Sequence, residues 1–113
     1  MSIVPQRLQF FTIQSRNLVR ARQFYVELLG FPAVDEKPGE FFQISIAGVP
    51  VCIDLNRELA FQPNQIGITV ADLEETVKIL EGKQLAVSRG RNAGETWASI
   101  KDPDGHEIIF IAA

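Results

Sequence analysis

Apolar and polar side chains alternate along Phe10-Phe11-Thr12-Ile13-Gln14. Period two, with β-branched and aromatic residues, predicts a half-buried strand over about 8–14. The period then changes. Leu18, Ala21, Arg22, Tyr25, Leu28 and Leu29 fall mainly at helical spacing, which predicts a helix over about 17–29. Asn17 is placed to cap its start and Gly30 to stop it. Three strands follow, at about 32–36, 41–47 and 50–55, with Gly48 at the last turn. The same order then recurs. Gln65 to Val70 alternates, and Asp72 is placed to cap a helix over about 72–82. Leu73, Thr76, Val77 and Leu80 form that helix's stripe and Gly82 its stop. Strands close the second half at about 85–89, 96–101 and 106–112, the last two joined by the turn Asp102-Pro103-Asp104-Gly105.

One offset of 55 carries Phe10 onto Gln65, Gly39-Glu40 onto Gly94-Glu95, and Ile53 onto Ile108. Few residues are identical, but the order of elements matches throughout. Two tandem βαβββ modules are therefore expected, at about 8–55 and 65–112, within a single domain 1–113. Asn56 to Asn64 links them. The fold class is α+β: a curved mixed sheet with helices on its outer face. Neither module has enough sheet and helix to be stable alone.

Composition narrows the function. The chain has 113 residues, 46% hydrophobic and 22% charged, an ordinary globular balance. A net charge of −3 gives no footprint for nucleic acid. No apolar run reaches the ~20 residues of a membrane helix, and the N-terminal residues carry no signal-peptide pattern. Cys52 is the single cysteine, so an internal disulfide is impossible. The expectation is a cytoplasmic protein with no nucleic-acid or membrane partner.

Alternation also assigns faces. Phe11, Ile13, Val51, Ile53, Leu55, Ile66, Ile68, Val70, Ile108 and Phe110 are expected against the helices. Phe10, Thr12, Gln14, Cys52, Asp54, Gln65, Gly67, Thr69, Glu107, Ile109 and Ile111 are left for the opposite, concave face. Phe42 and Trp97 occupy positions 55 apart and are expected to face the same way.

Asn17-Leu18 followed by Phe24-Tyr25-Val26-Glu27-Leu28-Leu29-Gly30-Phe31, and the hairpin Asp102-Pro103-Asp104-Gly105-His106-Glu107, resemble the vicinal oxygen chelate superfamily. That group includes glyoxalase I, bleomycin-resistance proteins, fosfomycin-resistance enzymes and extradiol dioxygenases. The resemblance covers nearly the whole chain. It implies that metal-using members would hold their ion with side chains at positions that fall here on Phe10, Asp54, Gln65 and Ile109. Phe10 and Ile109 have no lone pair to donate, and two oxygen donors fall short of the usual three protein ligands. No metal and no cofactor is expected.

The candidate ligand-binding residues are Phe10, Thr12, Asp54, Gln65, Thr69, Glu107 and Ile109. In this picture Phe10 makes an apolar floor for a planar molecule. Asp54 receives a cationic or hydrogen-bond-donating group, and Gln65 and Thr12 orient its polar edge. Pairing of Asp54 with an arginine across the cleft is the alternative. His106 is read as a surface turn residue, Cys52 as a small buried hydrophobe, and Glu107 as a charge near the cleft rim. Arg89 to Gly94 is read as a solvated basic connection.

Two functions stand at this point. One is a non-enzymatic protein, like the bleomycin-resistance branch, that sequesters a small organic molecule. The other is a glyoxalase- or dioxygenase-type enzyme (lyase, oxidoreductase or transferase) with a degenerate metal site. Beside both stands the reading of a dimeric fold with no small-molecule ligand at all. No catalytic residue is identified. A homodimer is expected, because so short a chain leaves sheet edges and apolar surface uncovered.

Overall fold

The computed structural model describes residues 2–58, 61–92 and 94–113. The chain divides into two compact units, Met1–Phe61 and Gln62–Ala113, with the boundary inside the expected linker. Each unit is a βαβββ module with a four-stranded mixed sheet, so the fold is α+β.

In the first unit the strands are β1 (Phe11–Ser15), β2 (Ala33–Lys37), β3 (Phe41–Ile46) and β4 (Val49–Leu55), in the spatial order β1-β4-β3-β2. β1 runs parallel to β4, and the other neighbours are antiparallel. Helix α1 (Leu18–Arg22) packs on β3 and β4. Asn17 caps it as expected: its side-chain oxygen accepts from the Arg20 N–H at 3.1 Å. The helix then widens into a π-helical segment, Gln23–Leu28, closed by the Leu29 N–H on the Phe24 carbonyl at 2.9 Å. In this wider turn the consecutive residues Phe24 and Tyr25 are both buried, edge to face at 5.1 Å. Gly30 ends the run at φ +82°. Ile13, Ala21, Tyr25, Phe42, Ile44, Val51 and Ile53 form the core.

In the second unit the strands are β5 (Gln65–Val70), β6 (Ser88–Asn92), β7 (Glu95–Lys101) and β8 (Glu107–Ala112), ordered β5-β8-β7-β6. Helix α2 (Leu73–Gly82) packs on β7 and β8, capped by Asp72, which accepts from the Glu75 N–H at 3.0 Å. Ile66, Leu73, Val77, Leu80, Ala98, Ile100, Ile108 and Phe110 are its core.

Several sequence expectations shift. β1 begins at Phe11, so Phe10 lies just ahead of the strand. Gly82 is the last helical residue rather than the stop. The left-handed position is Gln84, at φ +63°, where the Leu85 N–H reaches back to the Leu80 carbonyl. The strand expected at 85–89 lies at Ser88–Asn92. Apolar Leu85 and Val87 suggested the earlier span, but β6 is an edge strand whose extent is set by its pairing with β7. Arg89 and Arg91 are therefore strand residues, not a solvated connection, while Ala93 of that stretch lies outside the described residues. Arg89 bridges to Glu74 of α2, on the helix side of the sheet.

The repeat preserves element order but not register. Ile46 and Val49 pair around the two-residue turn Ala47-Gly48. Lys101 and Glu107 pair around five residues, Asp102 to His106. The second loop is longer by an odd number, and an odd shift turns a strand's side chains to the other face. Phe42 pairs with Ile53 and is buried. Trp97 pairs with Ile111 and is only half-buried. These two aromatics face opposite ways, contrary to the repeat argument.

Candidate functional site

Each sheet has one face against its helix and one open. On the open face of the first unit, Thr12 lies beside Cys52, which lies beside Gln43. The next row is Gln14, Asp54 and Phe41. This surface is largely polar. The Asn56 amide donates to Gln14 Oε1 at 3.0 Å and fixes it. Cys52 is 7% exposed. Burial pushes its thiol pKa up, the Asp54 carboxylate pushes the same way, and the Thr12 hydroxyl opposes them. The Cys52 Sγ–H donates to Asp54 Oδ1 at 3.8 Å. Asp54 is half-buried and, among the described residues, in no ion pair. Phe10 is 49% exposed.

The open face of the second unit is graded from polar to apolar. At one end Gln65, Glu107 and Lys101 share a row. The Gln65 amide donates to Glu107 Oε1 at 2.9 Å, and the Ser99 hydroxyl to Glu107 Oε2 at 3.3 Å. The carboxylate is thus oriented by two neutral donors. A cavity of about 220 Å³ adjoins it, lined by Leu85, Ala86, Ser88, Ser99, Ile100 and Lys101. The middle row is Gly67, Ile109 and Ser99, and the far row is Thr69, Ile111, Trp97 and Gly90. A Cβ on Gly90 would sit 2.3 Å from the Trp97 ring, so the indole crosses the strand where no side chain could stand.

Of the seven candidate residues, the fold joins Gln65 directly to Glu107 and puts Thr69 and Ile109 on the same face. Thr12 and Asp54 share the first unit's open face, and Phe10 stands outside its strand. Trp97 was not among the candidates. The sequence bounds gave loops of two and four residues, an even difference; the odd difference that turns Trp97 outward appears only in the pairing of β7 with β8.

His106 is a correction. It is 1% exposed, not a surface turn residue. Asp102 folds the loop inward: its Oδ1 accepts from the N–H groups of Asp104 and His106 at 2.9 and 2.8 Å. The imidazole is thereby placed so that Nδ1 accepts the Asn64 N–H at 2.8 Å. A neutral ring bonded in this way carries its proton on Nε2. Its role is to satisfy backbone at the start of β5.

The donor set does not suit a divalent metal. Phe10 and Ile109 offer no lone pair, and Gln65, whose amide N–H donates to Glu107, offers only a neutral amide oxygen. Among the described residues, no group of three or more His, Cys, Asp or Glu side chains could hold a metal ion. No helix among them is long and apolar enough to cross a membrane.

A family model described as the Glyoxalase/Bleomycin resistance protein/Dioxygenase superfamily matches residues 7–110. Among solved structures, the chain is similar to a lactoylglutathione lyase from Agrobacterium tumefaciens, at 16% identity and TM-score 0.83, covering 96% of this chain and 95% of that one. It is similar to TnmS3, an antibiotic binding protein from Streptomyces sp. CB03234, at 21% identity and TM-score 0.80, covering 98% of each chain. It is also similar to a hypothetical protein, SA1046, from S. aureus, at 26% identity and TM-score 0.75, covering 97% and 95%. No curated protein sequence matches the chain.

Proposed function

We propose, for a chain that belongs to the Glyoxalase/Bleomycin resistance protein/Dioxygenase superfamily, a metal-independent role: binding and sequestering a flat, partly apolar small molecule. The observation that carries this reading is Ile109. It is a half-buried hydrophobe on the open face, at a position where metal-using members would carry a ligand. There it favours contact with apolar surface over coordination. Phe10 is the same substitution at a second such position. The antibiotic-binding relative lends support, since a protein of the same fold works as a binder.

In this reading Phe10 offers stacking area, Asp54 receives a cationic or donor group, and Thr12, Gln65, Thr69 and Glu107 set the polar contacts. The protein acts as a homodimer in the cytoplasm. Exposed Ile3, Val4 and Leu8 are apolar surface that a second copy would cover.

The test is calorimetry on EDTA-dialysed protein with cationic aromatic antibiotics, neutral aromatic metabolites and a glutathione thioester. Saturable binding of a cationic or neutral aromatic without added metal is the expected result. Tighter binding of the anionic thioester would move the reading to the enzyme alternative. About one transition metal per chain, after purification without a histidine tag, would do the same. Sedimentation at micromolar concentration should give a dimer; a monomer would remove that part of the proposal.

A further inference from the structure

We infer that the open face of the second unit is itself a binding site for an elongated amphiphile, with Trp97 holding a planar apolar end and Glu107 a distant cationic group. The inference rests on the binding reading above and names a ligand class and an anchor that reading lacks. Three observations point to it. First, Trp97 is half-buried beside Ile111, and Gly90 leaves room for its ring to cross β6. An aromatic plate next to an aliphatic side chain, with no polar neighbour in its row other than Thr69, suits a planar group. Second, Glu107 is held from both sides by neutral donors, Gln65 and Ser99. They orient the carboxylate without cancelling its charge, so a cation arriving there donates a charge-assisted hydrogen bond to a fixed acceptor. Third, the two anchors have a defined separation. Trp97 pairs with Ile111, four residues along β8 from Glu107, which is about 13 Å of strand. The face therefore measures length as well as polarity.

Trp97 is the only tryptophan in the chain, so its indole N–H gives a single NMR resonance that reports on this face alone. Three probes form the test: 6-(2-naphthyloxy)hexylammonium, its two-carbon homologue 2-(2-naphthyloxy)ethylammonium, and 6-(2-naphthyloxy)hexanoate. The hexylammonium should shift the indole resonance saturably and bind at least about tenfold more tightly than the other two. Trp97→Ala and Glu107→Gln should each weaken it by about tenfold, whereas for the ethylammonium only the Trp97 change should matter. Trp97→Phe, which keeps an aromatic plate, should retain most of the affinity. Gly90→Ala, which forces the ring to move, should reduce it. The fold of each variant is checked by its amide spectrum, and Trp97→Phe with Gly90→Ala decides the case if Trp97→Ala fails to fold.

Saturable calorimetric binding of the hexylammonium without an indole shift would overturn this inference and leave the binding reading standing. Preference for the hexanoate would overturn the assignment of Glu107, with Lys101 then the anchor. If none of the three probes binds at millimolar concentration, the site is refuted. The antibiotic and metabolite panel then decides the broader reading separately.

Discussion

The two units have the same strand order and the same capped helix, yet their open faces differ in kind. That of the first unit is a polar surface of Thr12, Gln14, Gln43 and Asp54 around a buried thiol. That of the second runs from a fixed carboxylate to an indole. The cause is loop length. The turn Ala47-Gly48 directs Phe42 into the core, and the Asp102 to His106 loop directs Trp97 away from it. Even the ion pairs that tie helix to edge strand are reversed. Arg22 in the helix meets Glu36 on β2, and Glu74 in the helix meets Arg89 on β6. A repeat thus conserves the arrangement of elements while register decides which chemistry faces outward.

The largest expected effect tests that difference directly. Phe42→Ala should cost about 3–5 kcal/mol in urea unfolding, the range for a buried aromatic. Trp97→Ala should cost on the order of 1 kcal/mol, as for a partly exposed side chain. Equal losses would mean that the two aromatics share a face after all.

Next comes the loop that makes the difference. His106→Ala removes the acceptor of the Asn64 N–H in a buried site and should cost about 1–3 kcal/mol. His106→Asn, whose side-chain oxygen can stand in for Nδ1, should recover part of it. A loss confined to ligand binding, with the melting curve unchanged, would contradict the structural role.

Smaller gains are expected where non-glycine residues occupy left-handed backbone. Gln84→Gly, at φ +63°, and Ala47→Asn, at φ +49° in a two-residue hairpin turn, should each stabilise by about 0.5–1 kcal/mol. Neither change alters a face, so binding should be unaffected.

The smallest effect is kinetic. Cys52 should react with iodoacetamide at pH 8 more slowly than a free thiol, because its pKa is raised first by burial and then by Asp54. Asp54→Asn removes the second cause, lowers the pKa and should speed the reaction at the same pH. No acceleration would mean that access, not ionisation, sets the rate.

Much of the fold was legible because it rests on local signals: period-two runs, the caps at Asn17 and Asp72, and the Asp102 turn. The faces of β1, β4, β5 and β8 were legible too: β4 and β5 alternate Val, Ile or Leu with small or polar residues, β1 sets Phe11 and Ile13 against Thr12 and Gln14, and Glu107 fixes the phase of β8. What was not legible depends on pairing. β6, with Ser88, Arg89 and Arg91, has no hydrophobic period and is defined by β7. The orientation of Trp97 follows from a loop whose length, not composition, matters. His106 looked like a solvated turn residue because nothing local to it shows that Asn64 arrives overhead. The hydrogen-bonded pair Gln65 and Glu107, far apart in sequence, was named residue by residue but not as a pair.

Each module is closed by its own first and last strands. β1 pairs with β4 some forty residues later, Phe11 with Val51, and β5 with β8 at a similar span, Ile66 with Ile108. Such parallel pairing cannot nucleate locally, because the intervening chain must be gathered before it forms. In each module the β3–β4 or β7–β8 hairpin is therefore expected to form before β1 or β5 zips onto it. The amide protons of the interior strands β3, β4, β7 and β8, each flanked on both sides, should be among the last to exchange with deuterated solvent.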